Sequence, residues 1–362
     1  MSKQDSGSNK RTRVALDGMG GDYAPEVTIH GAVWAARDFG LEVQLVGKPE
    51  VIQAELRKHD TAGLALPIIP ASQVVEMDEH PANAVRAKKD SSMVVGIEML
   101  KRGETDAFVT MGNSGGALAA ALLHLGRIRG IKRAAISTVY PCKTKHGYCF
   151  LLDIGANADC KPEYLYQFGL MGSIYAERVL DIPNPRVAIV SNGEEEGKGN
   201  MLVQDTLPLL KNGPFNFIGN VEGKDIPAGM ADVVVTDGFT GNVIVKLSEG
   251  VAQMLKQIIE TEIRARPLTM VGGLLVKSAL KAVGKKMDYR EFGGAALLGV
   301  DGVVVIGHGR SDAYAVRNAI RVARQAVLTD MVNAIKQGLE AQSVLPVESL
   351  TSSAASEGQP ED

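Results

Sequence analysis

Short apolar runs rich in Val, Ile and Leu alternate with amphipathic stretches along almost the whole chain, and this alternation restricts the fold more than any other feature. Runs at 13–17, 42–46, 66–70, 107–110, 134–140, 148–153, 186–191, 216–219, 233–236 and 302–306 have the length and β-branched content of strands. Apolar residues recur at helical spacing over 27–39, 50–58, 91–101, 114–124, 162–179, 201–210, 240–264 and 312–337. Strand–helix repetition of this kind is best buried as a doubly wound, mostly parallel α/β sheet with helices on both faces. No internal repeat or long linker interrupts it, so 13–346 is expected to form a single α/β domain. Any boundary between lobes would fall near 180–185. The polar stretches 1–12 and 347–362 are expected to be disordered tails.

Composition narrows the function. Of the 362 residues, 45% are hydrophobic and 22% charged, enough to bury a large core. A net charge of −3 gives no global attraction to nucleic acid. The three cysteines, Cys142, Cys149 and Cys160, are odd in number and lack metal-like spacing, so they read as reduced thiols of a cytoplasmic protein. The six histidines show no zinc spacing, and no metal is expected. No stretch reaches the roughly 18 consecutive apolar residues of a membrane span, so any membrane contact would be peripheral.

The chemistry is expected in the loops that follow strands, where open α/β sheets bind ligands. The first is a glycine-rich turn carrying Asp17, Gly20, Gly21 and Asp22 before a helical pattern opened by Pro25. The others carry Asn113, Ser114 and Gly115; Asp153, Asn157 and Lys161; Glu194–Glu196 and Lys198; Asp237, Thr240, Gly241 and Asn242; and His308 and Arg310. Lying on one sheet edge, they would offer backbone N–H groups, hydroxyls and amides, with Lys161, Lys198 and Arg310 as cations. Such a set suits a phosphoryl group or an oxyanion. No G-x-S-x-G elbow is present for covalent catalysis. Each loop also meets the ordinary demand of a helix start for glycine and a cap. His308 fits either a general acid–base or a structural hydrogen bonder, and Glu194–Glu196 either a metal ligand set or a solvated acidic turn.

In this order the loops resemble those of the PlsX-type phosphate acyltransferases of bacterial phospholipid synthesis. The matching segments are 15–22, 86–93, 112–115, 126–131, 152–157, 161–163, 193–195, 198–200, 217–222, 308–309 and the string Asp232-Val-Val-Val-Thr-Asp-Gly-Phe-Thr-Gly-Asn-Val243. The resemblance covers about 13–335. One departure is the Glu194–Glu196 run, where relatives commonly carry a shorter Glu-Asp-Lys type sequence. The resemblance implies a Rossmann-like sheet of the isocitrate/isopropylmalate dehydrogenase type, a homodimer and no redox cofactor. It implies conversion of acyl-[acyl carrier protein] and inorganic phosphate to acyl phosphate and free carrier protein, feeding a membrane glycerol-3-phosphate acyltransferase. By match to the family's Lys-Gly-Asn segment, Lys198 is the expected contact to phosphate or developing charge. Asn113, Ser114, Thr240 and Asn242 are expected donors, and His308 a proton source for the leaving thiolate. Alternatives are a phosphotransacetylase-like enzyme using acyl-CoA, a decarboxylating dehydrogenase, for which no arginine cluster is found, and a non-enzymatic membrane-associated scaffold for lipid synthesis.

Two basic clusters, Arg127, Arg129, Lys132 and Arg133, and Arg86, Lys88 and Lys89, are expected to dock the acidic carrier protein. Finally, 267–290 breaks the α/β rhythm as a protruding helical segment. On a helix, Val276, Leu280, Val283 and Met287 share one face beside Lys277, Lys281 and Lys285, a pattern that fits an anionic membrane surface or, alternatively, a dimer interface.

Overall fold

The computed structural model describes residues 11–286 and 288–343. Readings made on 1–10, Met287, the side chain of Lys285 and 344–362 lie outside the described residues. Eleven strands form one sheet: β1 Arg13–Asp17, β2 Glu42–Gly47, β3 Ile68–Pro70, β4 Ala107–Thr110, β5 Ala135–Pro141, β6 Tyr148–Leu152, β7 Arg186–Val190, β8 Asn216–Val221, β9 Val233–Val235, β10 Ala295–Leu298 and β11 Val304–Ile306. Their order is β3-β2-β1-β4-β11-β10-β5-β6-β9-β7-β8. The helices are α1 Glu26–Phe39, α2 Pro49–Leu56, α3 Pro81–Ala87, α4 Ser92–Lys101, α5 Ser114–Ala120, α6 Pro162–Arg178, α7 Met201–Lys211, α8 Asp225–Ala228, α9 Gly238–Arg264, α10 Pro267–Lys286, α11 Ala313–Leu328 and α12 Met331–Ser343. A π turn, Ala121–Leu125, continues α5.

The central strands are buried on both faces, which is why they read as continuous apolar runs rather than alternating ones. Leu16, Phe108, Phe150 and Phe168 anchor the core between sheet and helices. Strand β10 escapes sequence detection because Ala-Ala-Leu-Leu carries no β preference; its pairing with β11 and β5 decides its conformation. The helix expected over 312–337 is two helices, broken where Asp330 takes a left-handed φ of 52°.

Strand direction decides where the loops go. Strands β1, β2, β3, β4 and β11 are mutually parallel. Strand β10 is antiparallel to β11 and to β5, and β5 is antiparallel to β6. Strands β6, β9, β7 and β8 are then parallel to one another and opposed to the first set. The expected convergence of all the loops on one edge is therefore corrected. Those after β1, β4 and β11 lie at one edge, and those after β6, β7 and β9 at the other. Local sequence shows that a strand ends in a polar loop; it does not show which way the strand runs.

Candidate active site

At the first edge the loops close upon themselves. Asp17 is buried and accepts hydrogen bonds from the Thr110 hydroxyl at 2.8 Å and the Met19 N–H at 3.1 Å. Burial raises its pKa, opposed by hydrogen bonds from Ser92 and Thr110. Gly20 lies so close to Asp17 and Gly112 that a Cβ would stand 2.5 Å from the Asp17 carboxylate and 2.9 Å from the Gly112 nitrogen. Gly21, at φ 104°, packs against Met111 and Gly309. Asn113 caps α5 through the Gly116 N–H at 2.9 Å and donates to the carbonyls of Glu76, Met77 and Glu79. Gly115 is fixed by contact with Pro81. Ser114, Asp22, Tyr23, His308 and Arg310 are exposed here, and His308 Nδ1 accepts the Arg310 N–H at 3.2 Å.

The second edge is open. A cavity of about 430 Å³ is lined by Leu165, Ile189, Val190, Ser191, Asn192, Gly199, Asn200, Leu202, Val203, Thr236, Asp237 and Thr240. It lies where β7 and β9 end and α7 and α9 begin. Asn200 caps α7 by accepting the Val203 N–H at 3.0 Å. Asp237 caps α9 by accepting the Thr240 N–H and hydroxyl, each at 2.8 Å. Helix starts of this kind leave backbone N–H groups for an anion. The two starts differ electrically: α7 carries a neutral cap and α9 a carboxylate, so the α7 end is the better anion site.

Behind the cavity, Asp153 organises the β6 loop. Its carboxylate accepts N–H groups from Ile136, Gly155, Ala156 and Asn157 at 2.7–3.1 Å, and the Asn157 side-chain amide at 2.8 Å. Burial nevertheless raises its pKa. Gly241 passes over this loop so closely that a Cβ would stand 1.9 Å from the Asp153 carbonyl oxygen. Asp153, Asn157 and Gly241 thus set the frame, and Asn242 and Lys161 stand exposed at its rim.

Lys198 is exposed on the loop that closes the cavity at Gly199. Two of the three carboxylates in the acidic run around it are already matched. Glu196 pairs with Lys211 at 2.7 Å and Glu194 with Lys224 at 3.5 Å, while Asn220 holds the Glu195 carbonyl at 2.9 Å. Among the described residues no ion pair engages the Lys198 ammonium. Glu194, Glu222 and Asp225 bring ligand atoms within 4.8 Å of one another, yet Lys224 bridges Glu194 and Glu222 and already supplies the positive charge.

The expected pairing of Lys198 with His308 in one site is not what this chain builds. They follow β7 and β11, at opposite edges and five strand spacings apart, roughly 24 Å at about 4.8 Å each. The basic clusters separate in the same way. Arg127, Arg129, Lys132 and Arg133 are exposed on the loop leading into β5, at the cavity's edge, where the Asn157 amide donates to the Ala134 carbonyl at 2.7 Å. Ile128 and Ile131 anchor that loop in the core. Arg86 and Lys89 are exposed at the edge of Asn113. Ser191, Asn192 and Asn200, which belong to the candidate loop 191–200 but were not expected as site residues, line the cavity together with Leu165. The available signal was their place just after a strand or in the first turn of a helix.

Solved structures of phosphotransacetylases and of 4-hydroxythreonine-4-phosphate dehydrogenases share this fold. A phosphotransacetylase from Streptococcus pyogenes superposes with TM-score 0.60 at 17% identity, covering 92% of this chain and 95% of its own. A 4-hydroxythreonine-4-phosphate dehydrogenase from Klebsiella pneumoniae does so with TM-score 0.52 at 13% identity, covering 88% and 100%. Similarity in sequence is far stronger to the phosphate acyltransferase of Dictyoglomus turgidum, 52% identical over 328 residues, 90% of this chain and 97% of the relative. Residues 12–334 match the family described as "Fatty acid synthesis protein". The chain belongs to that family, the PlsX-type phosphate acyltransferases, and is an acyltransferase.

Proposed function

We propose that the cavity between the starts of α7 and α9 carries out phosphorolysis of an acyl thioester borne by acyl carrier protein. The observation that carries this is a cavity that joins a neutrally capped helix start to an apolar wall, with the exposed Lys198 one residue before the lining Gly199. Phosphate is held at the α7 end beside Lys198, and Leu165, Ile189 and Val203 face the acyl group. A phosphate oxygen attacks the thioester carbonyl carbon, the C–S bond breaks, and the carrier thiolate leaves and takes a proton from solvent. N–H groups and Lys198 stabilise the charge that develops on oxygen. The exposed Asn242 amide, at the α9 end, is proposed to donate to the acyl carbonyl, while the Thr240 hydroxyl is already given to Asp237. His308 has no part in this scheme.

The exposed loop Arg127–Arg133 is proposed as the dock for the acidic carrier protein, since it shares the cavity's edge. The acyl phosphate is to be delivered to a membrane glycerol-3-phosphate acyltransferase, and α9 and α10 suit that delivery. Helix α9 begins at the site, α10 follows from its far end, and both expose apolar side chains. Leu247, Val251, Leu255 and Ile258 line α9 at i, i+4, i+8, i+11, a face suited to a second copy and hence a homodimer. Along α10, Val276, Leu280 and Val283 are exposed beside Lys277 and Lys281, and exposure is greatest at Leu268 (83%) and Leu275 (80%). No described helix is long and apolar enough to cross a membrane, so α10 is proposed to lie on an anionic surface.

The test compares acyl-carrier protein with acyl-CoA as thioester. Charge reversal at Arg129 and Lys132 is expected to raise KM for the carrier protein and leave acyl-CoA turnover unchanged. Equal loss with both would remove the loop from carrier docking. Faster wild-type turnover of acyl-CoA than of acyl-carrier protein would favour the phosphotransacetylase-like alternative, and conversion of neither would favour a scaffold.

A further inference from the structure

We propose that Ser191 is a phosphate-orienting residue, its hydroxyl donating a hydrogen bond to a phosphate oxygen held at the start of α7. The assignment rests on the phosphate site proposed above. Ser191 follows β7 directly, and its backbone is fixed by its N–H bond to the Val221 carbonyl at 2.9 Å. Its side-chain oxygen is buried and has no hydrogen-bond partner among the described residues. Buried hydroxyls are nearly always partnered, so an orphan in a cavity wall calls for a partner that arrives with the ligand. Three polar side chains beside it are engaged. Asn192 accepts the Gly199 N–H at 2.8 Å, Asn200 accepts the Val203 N–H at 3.0 Å, and Asp237 is taken by Thr240.

The Ser191 oxygen lies under the Gly199 turn, where a Cβ on Gly199 would stand 3.2 Å from it. Gly199 has φ 107°, a conformation in which glycine alone is unstrained, so the turn passes close over the serine and leads straight into α7. In the proposed phosphate-bound state the hydroxyl turns about χ1 from beneath the turn towards the start of α7. A hydroxyl is the suitable donor here: it adds directionality beside the mobile Lys198 charge and adds no charge of its own. The competing explanation is an internal water shared with Asn220 on the adjacent strand, whose side-chain oxygen also lacks a partner.

The experiment measures phosphorolysis at varied phosphate for wild type, Ser191→Ala, Ser191→Thr and Lys198→Ala, with thermal melting of each. Ser191→Ala is expected to raise KM for phosphate about tenfold, the worth of one hydrogen bond to a charged group. KM for the acyl thioester and the melting temperature should stay unchanged, because no protein partner is lost. Ser191→Thr, which keeps the hydroxyl, should recover most of the phosphate affinity. A wild-type KM for phosphate in Ser191→Ala overturns the assignment, and a lowered melting temperature alongside it identifies the structural water instead. If Lys198→Ala is slow while Ser191→Ala is silent, this inference alone fails. If both are silent, phosphate does not bind in this cavity, and the site proposed for the reaction fails with it.

Discussion

Lys198→Ala is the perturbation that bears most directly on the site. The ammonium is exposed, no ion pair engages it among the described residues, and the neighbouring Glu194 and Glu196 are paired with Lys224 and Lys211. Two unit charges about 4 Å apart attract by about 1 kcal/mol in water and about 4 kcal/mol at the effective dielectric of a protein surface. The loop is solvated on one side, while Leu165, Ile189 and Val203 exclude water on the other. A value of about 2–3 kcal/mol follows, or about a 30- to 150-fold loss of kcat/KM for phosphate. Removing an exposed side chain with no ion pair should change stability by less than about 0.5 kcal/mol. Carrier thiol release, followed with a thiol-reactive chromophore at subsaturating phosphate, measures the rate, and thermal melting measures the fold. Lys198→Arg should retain most of the activity, and added salt should narrow the gap between wild type and Lys198→Ala. A loss smaller than about threefold, well under the electrostatic bracket, would refute the reasoning. So would an equal loss in Lys198→Ala and Lys198→Arg, since charge would then not be the cause.

Burial raises the pKa of Asp17 and Asp153 above the ordinary 3.8, so the native state holds their protons more tightly than the unfolded chain. Between 3.8 and the raised folded values, stability should therefore fall as pH rises; Asp153→Asn should flatten that slope in denaturant titrations, and an unchanged slope would contradict it. Cys142 accepts a hydrogen bond from the Cys149 thiol, which draws its pKa down to about 6, whereas burial pushes Cys160 up to about 12. Iodoacetamide near neutral pH should therefore alkylate Cys142 well before Cys160 by peptide mass mapping, and the reverse order would exclude a Cys142 thiolate. On α10, Leu275→Glu and Leu280→Glu should abolish flotation with anionic vesicles while the protein stays soluble and active; aggregation or loss of the fold would make the segment buried structure instead.

Much of the candidate site was legible in the sequence because its parts are local. A strand, its polar loop and the capped start of the next helix occupy a dozen residues, and their propensities agree. This is why β1, β4 and α4 lie within a residue of their expected ends. Lys198, Asp237 and Thr240 were recognisable from segments such as Asp232–Val243, where the residues themselves carry the pattern. Ser191 was not, because its interest lies in what it lacks: a partner, which is a property of its surroundings.

By itself, the sequence determined an α/β chain, most of its strands and helices, the frame of capping residues, and membership of an acyltransferase family. Tertiary structure decided the rest. The bland Ala295–Leu298 becomes a strand only because β11 and β5 flank it in antiparallel register. Together with the β5–β6 hairpin, that insertion turns half the sheet around. It separates His308 from Lys198 and brings the Arg127–Arg133 loop to the cavity's edge. Strand direction is a relation between segments distant in the chain, fixed by pairing and burial, and no local pattern of residues encodes it.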